Sequence, residues 1–246
     1  MMKKITDYKE VSPLVLKYFK RGVITNNFMT ADDYKSEIEE ERLFYDCGED
    51  YLNIYVKRDG FYQLYFHALT EDVIFPEMKE KIVCDISGYS GNLLIKNGFL
   101  EVLERVRLER NNDAEGESFI KATKDDAEKI SELMNSCFDK FTGYVPNFTQ
   151  IQSECEKGLF YKIEKNDKIA GILRTGRNGK TAQIKHLCVS EDFRGEGIAK
   201  RLCAEFLKEN TKVTVWTGRE NKAALNLYKS FGFTEDKTNS TVYMKG

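Results

Sequence analysis

Short apolar runs alternate with amphipathic stretches along the whole chain, and the spacing within each one predicts its element. Residues 11–19 (VSPLVLKYF) carry helical spacing, with Ser12 placed to cap and Pro13 at the first helical position. Residues 30–42 read as a second helix, capped by Thr30 and acidic in the first turn. Residues 51–57 and 61–68 are rich in β-branched and aromatic side chains, and the Asp59-Gly60 step between them is a hairpin signal. A strand over 81–86, a short helix stopped by Gly98, and one or two strands over 99–110 complete the first half. His67, on a strand of aromatics, is read as structural. The polar, glycine-containing stretch 111–118 (NNDAEGES) reads as a linker and separates a domain at 1–110 from one at 119–246.

In the second half a strand at 119–122 leads to a helix capped by Thr123 and running through Cys137, with Ile130, Leu133 and Met134 on its buried face. A helix over 149–157 follows, then a hairpin over 159–175 and a strand over 181–189. That strand breaks parity: Ile184 and Leu187 are three apart, Leu187 and Val189 two apart. Strict alternation cannot place all three on one face. A bulge near residues 186–188, or a central strand apolar on both faces, would each account for it. A helix over 197–208, a strand over 212–216, a helix over 221–231 and a hairpin of strands at 233–238 and 241–245 finish the chain. Strands alternating with helices predict an α/β fold with a mixed sheet.

Composition narrows the partners. The 246 residues carry a net charge of −2, so no bulk positive field favours nucleic acid. Six scattered cysteines without a CxxC, and two histidines, predict neither a metal site nor a disulfide framework. No apolar run is long enough for a membrane span, and the start MMKKITDYKEV has no apolar segment of a signal peptide, so the expected location is cytoplasmic.

One stretch concentrates the chemistry: HLCVSEDFRGEGIAKRL, residues 186–202. A strand turns into a glycine-rich corner and then a helix. The unpaired N–H groups of a first helical turn, the helix dipole and Arg194 together suit a phosphate or pyrophosphate. Neither a GxGxxG dinucleotide fingerprint nor a GxxxxGK[ST] P-loop is present.

These residues resemble the GNAT superfamily of acyl-CoA-dependent N-acyltransferases. One family signature, Gln/Arg-x-x-Gly-x-Gly/Ala after a strand, is met by Arg194, Gly197 and Ala199 after Leu187-Cys188-Val189. The other, Asn-x-x-Ala-x-x-x-Tyr-x-x-x-Gly-Phe, is met by Asn221, Ala224, Tyr228, Gly232 and Phe233. The opening FIKATKDDAEKISELM also matches, so the resemblance covers residues 119–246. It implies acetyl-CoA as co-substrate, a small-molecule or peptide amine as acceptor, and no metal. It further implies a pantetheine arm lying between the strands at 181–189 and 212–217. The arm would pair with Leu187, Cys188 and Val189, and the Cys188 N–H would polarise the thioester carbonyl. The amides of Arg194, Gly195, Glu196, Gly197, Ile198 and Ala199 would hold the pyrophosphate, with the Glu196 side chain turned to solvent. Tyr228 would be the general acid, and Asn221 would contact the coenzyme, cap its helix, or both. For the general base the candidates are His186, which reads equally as a structural histidine, then Glu164, or a water chain. A covalent route through Cys188 is disfavoured, because direct transfer is the family's usual route. The loop at 138–148 and pieces of the first domain are where the acceptor is expected. A non-catalytic acyl-CoA sensor or scaffold is the alternative.

The first half carries an echo of the second. Asn92, Leu93, Gly98, Phe99 and Glu101 stand 134 positions before Asn226, Leu227, Gly232, Phe233 and Glu235. The strand–turn–strand before them parallels 159–175. There is no glycine-rich corner, Leu94 stands where Tyr228 stands, and few residues separate 68 from 81. The first half is therefore read as a degenerate GNAT-like domain without a coenzyme site, which extends the fold and walls the acceptor site.

Overall fold

The structure is a computed structural model describing residues 2–111 and 121–246. The chain forms two compact units, Met1–Glu104 with Asn239–Gly246, and Arg105–Thr238. Apart from Asn111, the linker expected at 111–118 lies outside the described residues, as do residues 119 and 120 of the expected short strand. Lys121 makes an isolated bridge to Tyr161.

The first unit begins with β1 (Lys3–Lys4), α1 (Tyr8–Tyr18), β2 (Ile24–Thr25) and α2 (Ala31–Glu39). Asp7 rather than Ser12 caps α1: its carboxylate accepts from Lys9 N at 2.8 Å, while Glu10 reaches back to Asp7 N at 2.9 Å. This reciprocal box starts the helix earlier than the Ser-Pro pair suggested and leaves Pro13 inside it. Next come β3 (Leu43–Cys47), β4 (Tyr51–Arg58), β5 (Phe61–Ala68), β6 (Ile82–Ser87) and α3 (Asn92–Lys96). The sheet runs β1-β3-β4-β5-β6, with β5 and β6 parallel and the other pairs antiparallel. One face packs on α1 and α2 through Val11, Tyr18, Leu52 and Ile54. The other buries Phe66, Cys84, Leu93 and Phe99.

β7 (Leu100–Asn111) begins in the first unit, but its Arg105–Asn111 portion pairs along all of β11 in the second. The second unit continues with α4 (Ala127–Cys137), α5 (Phe148–Glu156), β8 (Phe160–Lys165), β9 (Lys168–Asn178), β10 (Thr181–Val189), α6 (Ile198–Lys208), β11 (Lys212–Gly218) and α7 (Lys222–Ser230). Its sheet runs β7-β11-β10-β9-β8, with only β10 and β11 parallel. Helices α4 and α5 cover one face through Ile130, Met134 and Ile151; α6 and α7 cover the other through Leu202, Phe206 and Tyr228.

The last strand, β12, is one piece, Thr234–Lys245, and not the expected hairpin. The turn expected at Asn239-Ser240 is instead where the strand passes from the second unit to the first. Residues Ser240–Lys245 then pair with β6 of the first. Each unit thus ends its sheet on a strand that follows the other unit's last helix. The two sheets also correspond in order, β3-β4-β5 then parallel β6, and β8-β9-β10 then parallel β11. By this order β4 and β5 answer to β9 and β10, one strand further along than the sequence parallel suggested. At the helix ends the echo holds bond by bond. Phe99 N donates to Leu94 O at 3.0 Å and Phe233 N to Tyr228 O at 3.2 Å. Gly98 N donates to Ile95 O, and Gly232 N to Lys229 O, both at 3.0 Å. Both glycines sit at φ +79°, the left-handed stop of a helix.

Within the first unit, β12 contributes Val242 and Tyr243, both buried. Tyr243→Ala is expected to cost about 3–5 kcal/mol, the range for deleting a buried aromatic. Hydrogen exchange should show β5 and β6 losing protection well before β9 and β10.

Candidate active site

β10 holds one residue more than its neighbour can match. Ile184 pairs with Thr175 and His186 with Arg174, leaving Lys185 as a bulge. That extra residue resolves the parity break. Ala182 and Ile184 lie before the bulge, Leu187 and Val189 after it, and all four pack toward the α6–α7 side. His186 and Cys188 turn to the other face, where Cys188 joins the α4–α5 core. On its other edge β10 pairs with β11 only through Ala182↔Val213, Gln183↔Thr214 and Ile184↔Val215. β10 runs on to Val189 and β11 to Gly218 outside that ladder. The bulge therefore sits where the two parallel strands stop pairing.

Beyond Val189, a turn at Glu191–Phe193 buries the Phe193 ring and leads to the corner. Gly195 and Gly197 have φ +83° and +78°, and a Cβ on either would meet nothing within 4 Å. The requirement for glycine is thus conformational, and the space above the backbone is open. Helix α6 starts at Ile198 with no side chain capping its first turn and no acidic residue within it. Its free N–H groups and dipole keep their capacity for an anion. The Arg194 side chain is 59% exposed beside Glu191. Glu196 turns outward to Lys165.

On the opposite face, three charged or titratable side chains are buried together: Glu154 from α5, Arg174 from β9 and His186, at 8%, 5% and 7% exposure. Arg174 bonds Glu154 through Nε at 2.6 Å and Nη2 at 2.7 Å. Burial works against the Glu154 charge, but this fork outweighs it and holds the carboxyl below its usual range. Arg174 Nη1 lies 3.4 Å from His186 Nδ1, and His186 Nε2 lies 2.6 Å from the Gly143 carbonyl. A carbonyl only accepts and a guanidinium only donates, so the imidazole carries its proton on Nε2. Burial, with the Arg174 charge adding to it, pulls His186 down to about 4. Neither Glu154 nor Arg174 stood out in the sequence. The available signal was an arginine inside the apolar run KIAGILRTG.

Tyr228, on α7, is buried against Phe233, with ring centroids 5.5 Å apart. Burial, then the nearby Cys203 thiol, pushes its phenol well above the usual value, so it is protonated at neutral pH. Asn221 caps α7, its Oδ1 accepting from Ala224 N at 3.1 Å. Glu164 is paired with Lys162 at 3.0 Å on β8. Cys137 ends α4 with its sulfur 3.8 Å from the Val189 carbonyl oxygen. A bond from the Cys188 thiol, with Ser136 and Arg194 nearby, draws it down to about 6 against the effect of burial, while the same contact and burial raise Cys188.

The Acetyltransferase (GNAT) domain family matches residues 123–246. The chain belongs to this family. A curated relative, an uncharacterized N-acetyltransferase of Methanocaldococcus jannaschii, is 31% identical over 133 residues, covering 46% of this chain and 58% of that protein, so this chain spans less than two thirds of its length. A GCN5-related N-acetyltransferase of Sphaerobacter thermophilus superposes with a TM-score of 0.58 at 13% identity, over 100% of this chain and 95% of that one. A GNAT-family acetyltransferase of Colwellia psychrerythraea gives 0.56 at 14%, over 99% and 98%. At such identities the likeness is one of fold, and it extends over the full length. The mixed α/β GNAT fold expected from the motifs is the one observed. Both signatures lie inside the matched GNAT segment, whose last residues, Asn239–Gly246, belong to the first compact unit. Among the described residues, no cluster of three or more His, Cys, Asp or Glu could hold a metal, and no helix is long and apolar enough to cross a membrane.

Two outcomes follow from the buried network. Arg174→Leu strands the Glu154 charge and should cost about 3–5 kcal/mol in chemical denaturation. Glu154→Leu combined with Arg174→Leu should recover most of that loss. His186 is neutral when folded and titrates near 6.5 when unfolded. Its contribution to stability is complete above about pH 6.5 and is lost as pH falls toward about 4. In His186→Gln, the slope of stability against pH across that window should flatten by about 1.4 kcal/mol per pH unit.

Proposed function

We propose that the chain is an N-acetyltransferase that moves an acetyl group from acetyl-CoA to the primary amine of a small molecule or peptide. The observation that carries this reading is the end of β10–β11 pairing at Ile184 and Val215, next to an uncapped helix start at Gly197. A pantetheine arm carries amides that can take up strand-like bonds along Leu187, Cys188 and Val189. Its pyrophosphate suits the amides of Arg194, Gly195, Glu196, Gly197, Ile198 and Ala199. In this reading the Leu187 N–H, which faces away from β9, polarises the thioester carbonyl as the amine attacks; the Cys188 N–H expected from the motif faces Ile172 in the β9 ladder, a register set by the Ser190 N–Ala170 O bond two residues on. The new C–N bond forms and the C–S bond breaks. Tyr228 is the general acid of this reading and gives its proton to the leaving thiolate. His186 is poorly disposed to act as base, because Nε2 already carries a proton and Nδ1 faces Arg174. The amine loses its proton through water, and the thiol pair at Cys137 and Cys188 stays out of the chemistry. Asn221 holds the start of α7 and through it the position of Tyr228. Six unpaired thiols are in keeping with a reducing, cytoplasmic setting.

The first unit, in the same reading, is a degenerate copy without a coenzyme site. β5 passes to β6 without a helix of the α6 kind, and Leu94 makes the helix-end bond that Tyr228 makes in the second unit.

Thiol release from acetyl-CoA over a panel of amines tests the activity. Coenzyme binding without turnover on any amine would favour a sensor. Tyr228→Phe should lower kcat about 10²-fold with acetyl-CoA KM near the parent value. Gly197→Glu places a carboxylate, at a strained φ, in the anion corner, and should abolish acetyl-CoA binding by calorimetry.

A further inference from the structure

The segment between α4 and α5, residues 138–147, is a built loop. Asp139 Oδ1 accepts from the backbone N–H groups of Phe141 and Thr142, each at 3.0 Å, and the Asp139 carbonyl accepts from Gly143 N at 2.7 Å. A side chain at Gly143 has no room: a Cβ there would run into the Asp139 carbonyl and come within 2.7 Å of Phe138 Cβ. Tyr144, next in line, takes a positive φ of 50°. Two successive carbonyls of this loop are held from the sheet. Arg105 Nη2 on β7 donates to Thr142 O at 2.6 Å, and His186 Nε2 on β10 donates to Gly143 O at 2.6 Å. The Phe138 ring meets the imidazole edge-on at 4.8 Å, and the Arg105 guanidinium lies 5.3 Å from the Tyr144 ring centre.

Behind His186 stands an ion pair that adds little to stability. A buried pair fares no better than apolar residues of the same size, because desolvating two charges offsets their attraction. What it supplies is direction. Arg174 lies directly opposite His186 across the β9–β10 ladder, and Glu154 grips it through two nitrogens. The remaining nitrogen, Nη1, faces His186 Nδ1 and forces the imidazole proton to Nε2, toward Gly143. The anchor point is the first residue after the Lys185 bulge, where β10 and β11 stop pairing. The loop so held leaves Tyr144 40% exposed, and Phe148, the first residue of α5, is 47% exposed.

We propose that Glu154, Arg174 and His186 are positioning residues for the acceptor amine, fixing the 138–147 loop at Gly143 beside the opening between β10 and β11. The proposal rests on the acetyltransferase reading. The relay meets the loop at Gly143, whereas the pyrophosphate corner is built by residues 194–199 at the start of α6.

The test compares His186→Phe, which fills the ring's volume without a donor, with His186→Gln, which restores an N–H near the same place. With an amine that the parent turns over, His186→Phe should raise acceptor KM about tenfold, the loss of one buried hydrogen bond. Acetyl-CoA KM should stay at the parent value, and His186→Gln should recover most of the effect. Hydrogen exchange of residues 139–147 is read in the same samples and needs no acceptor: it should quicken in the Phe variant and return in the Gln variant. Parent-like acceptor KM and parent-like loop exchange in His186→Phe would overturn the proposal. If no amine on the panel is turned over, the acetyltransferase reading fails, and the exchange result alone decides whether the relay holds the loop. Should His186→Phe not fold, Gly143→Ala pushes the loop off its His186 anchor while leaving Glu154, Arg174 and His186 themselves unchanged. It should raise acceptor KM likewise, and an unchanged KM would overturn the proposal.

Discussion

A β-strand cannot leave a backbone edge without partners inside a protein at no cost. The second unit turns on a strand that does leave one. β10 is paired with β9 through Val189, yet its parallel pairing with β11 ends at Ile184. The extra residue at Lys185 reorients everything downstream. It keeps Leu187 and Val189 on the α6 side and sends His186 and Cys188 to the α4–α5 side. Both halves of the candidate site follow from this geometry. One half is a backbone edge leading to an uncapped helix. The other is a histidine aimed at a loop carbonyl. Without the bulge, the apolar and polar sets of the strand would exchange faces.

The two units carry the same plan with different outfitting. The Gly98 and Gly232 corners repeat their hydrogen bonds at matching positions, and the strands after them are each 12 residues long. One difference lies between the parallel strands. The second unit has the glycine corner and α6 there; the first has only the segment from Leu69 to Lys81. That crossover gives the second unit a glycine-led helix start with no side-chain cap, which the first unit lacks while keeping the same sheet order.

The sequence made some of this legible and hid the rest for identifiable reasons. The glycine corner and the Asn221–Phe233 signature around α7 could be read because their chemistry is local: special φ, caps and close spacing. The parity of Ile184, Leu187 and Val189 pointed to an irregular strand without deciding between a bulge and a two-faced one. The Glu154–Arg174–His186 relay was not legible, since it depends on the register of β9 against β10 and on where α5 lies. β12 was misread because Asn239-Ser240 marks a turn in most contexts, whereas here the strand continues through it. The Asp7 cap was missed in favour of Ser12-Pro13, where a reciprocal pair of side-chain bonds outweighed a positional preference for proline.

The exchange of final strands also sets an order of assembly. During synthesis β6 emerges early and meets Ser240–Lys245 only after the entire second unit has been made; the Ser240–Asp85 hydrogen bond joins residues 155 positions apart. Until then the edge of β6 that β12 later occupies is open, and Tyr243 is missing from the core beneath α3. An open strand edge invites pairing with other chains, and such distant contacts form slowly. The nascent protein therefore passes through a stage in which its first-made unit is the last to be completed. Chaperone dependence and aggregation during expression should be governed by that interval more than by the stability of the finished fold.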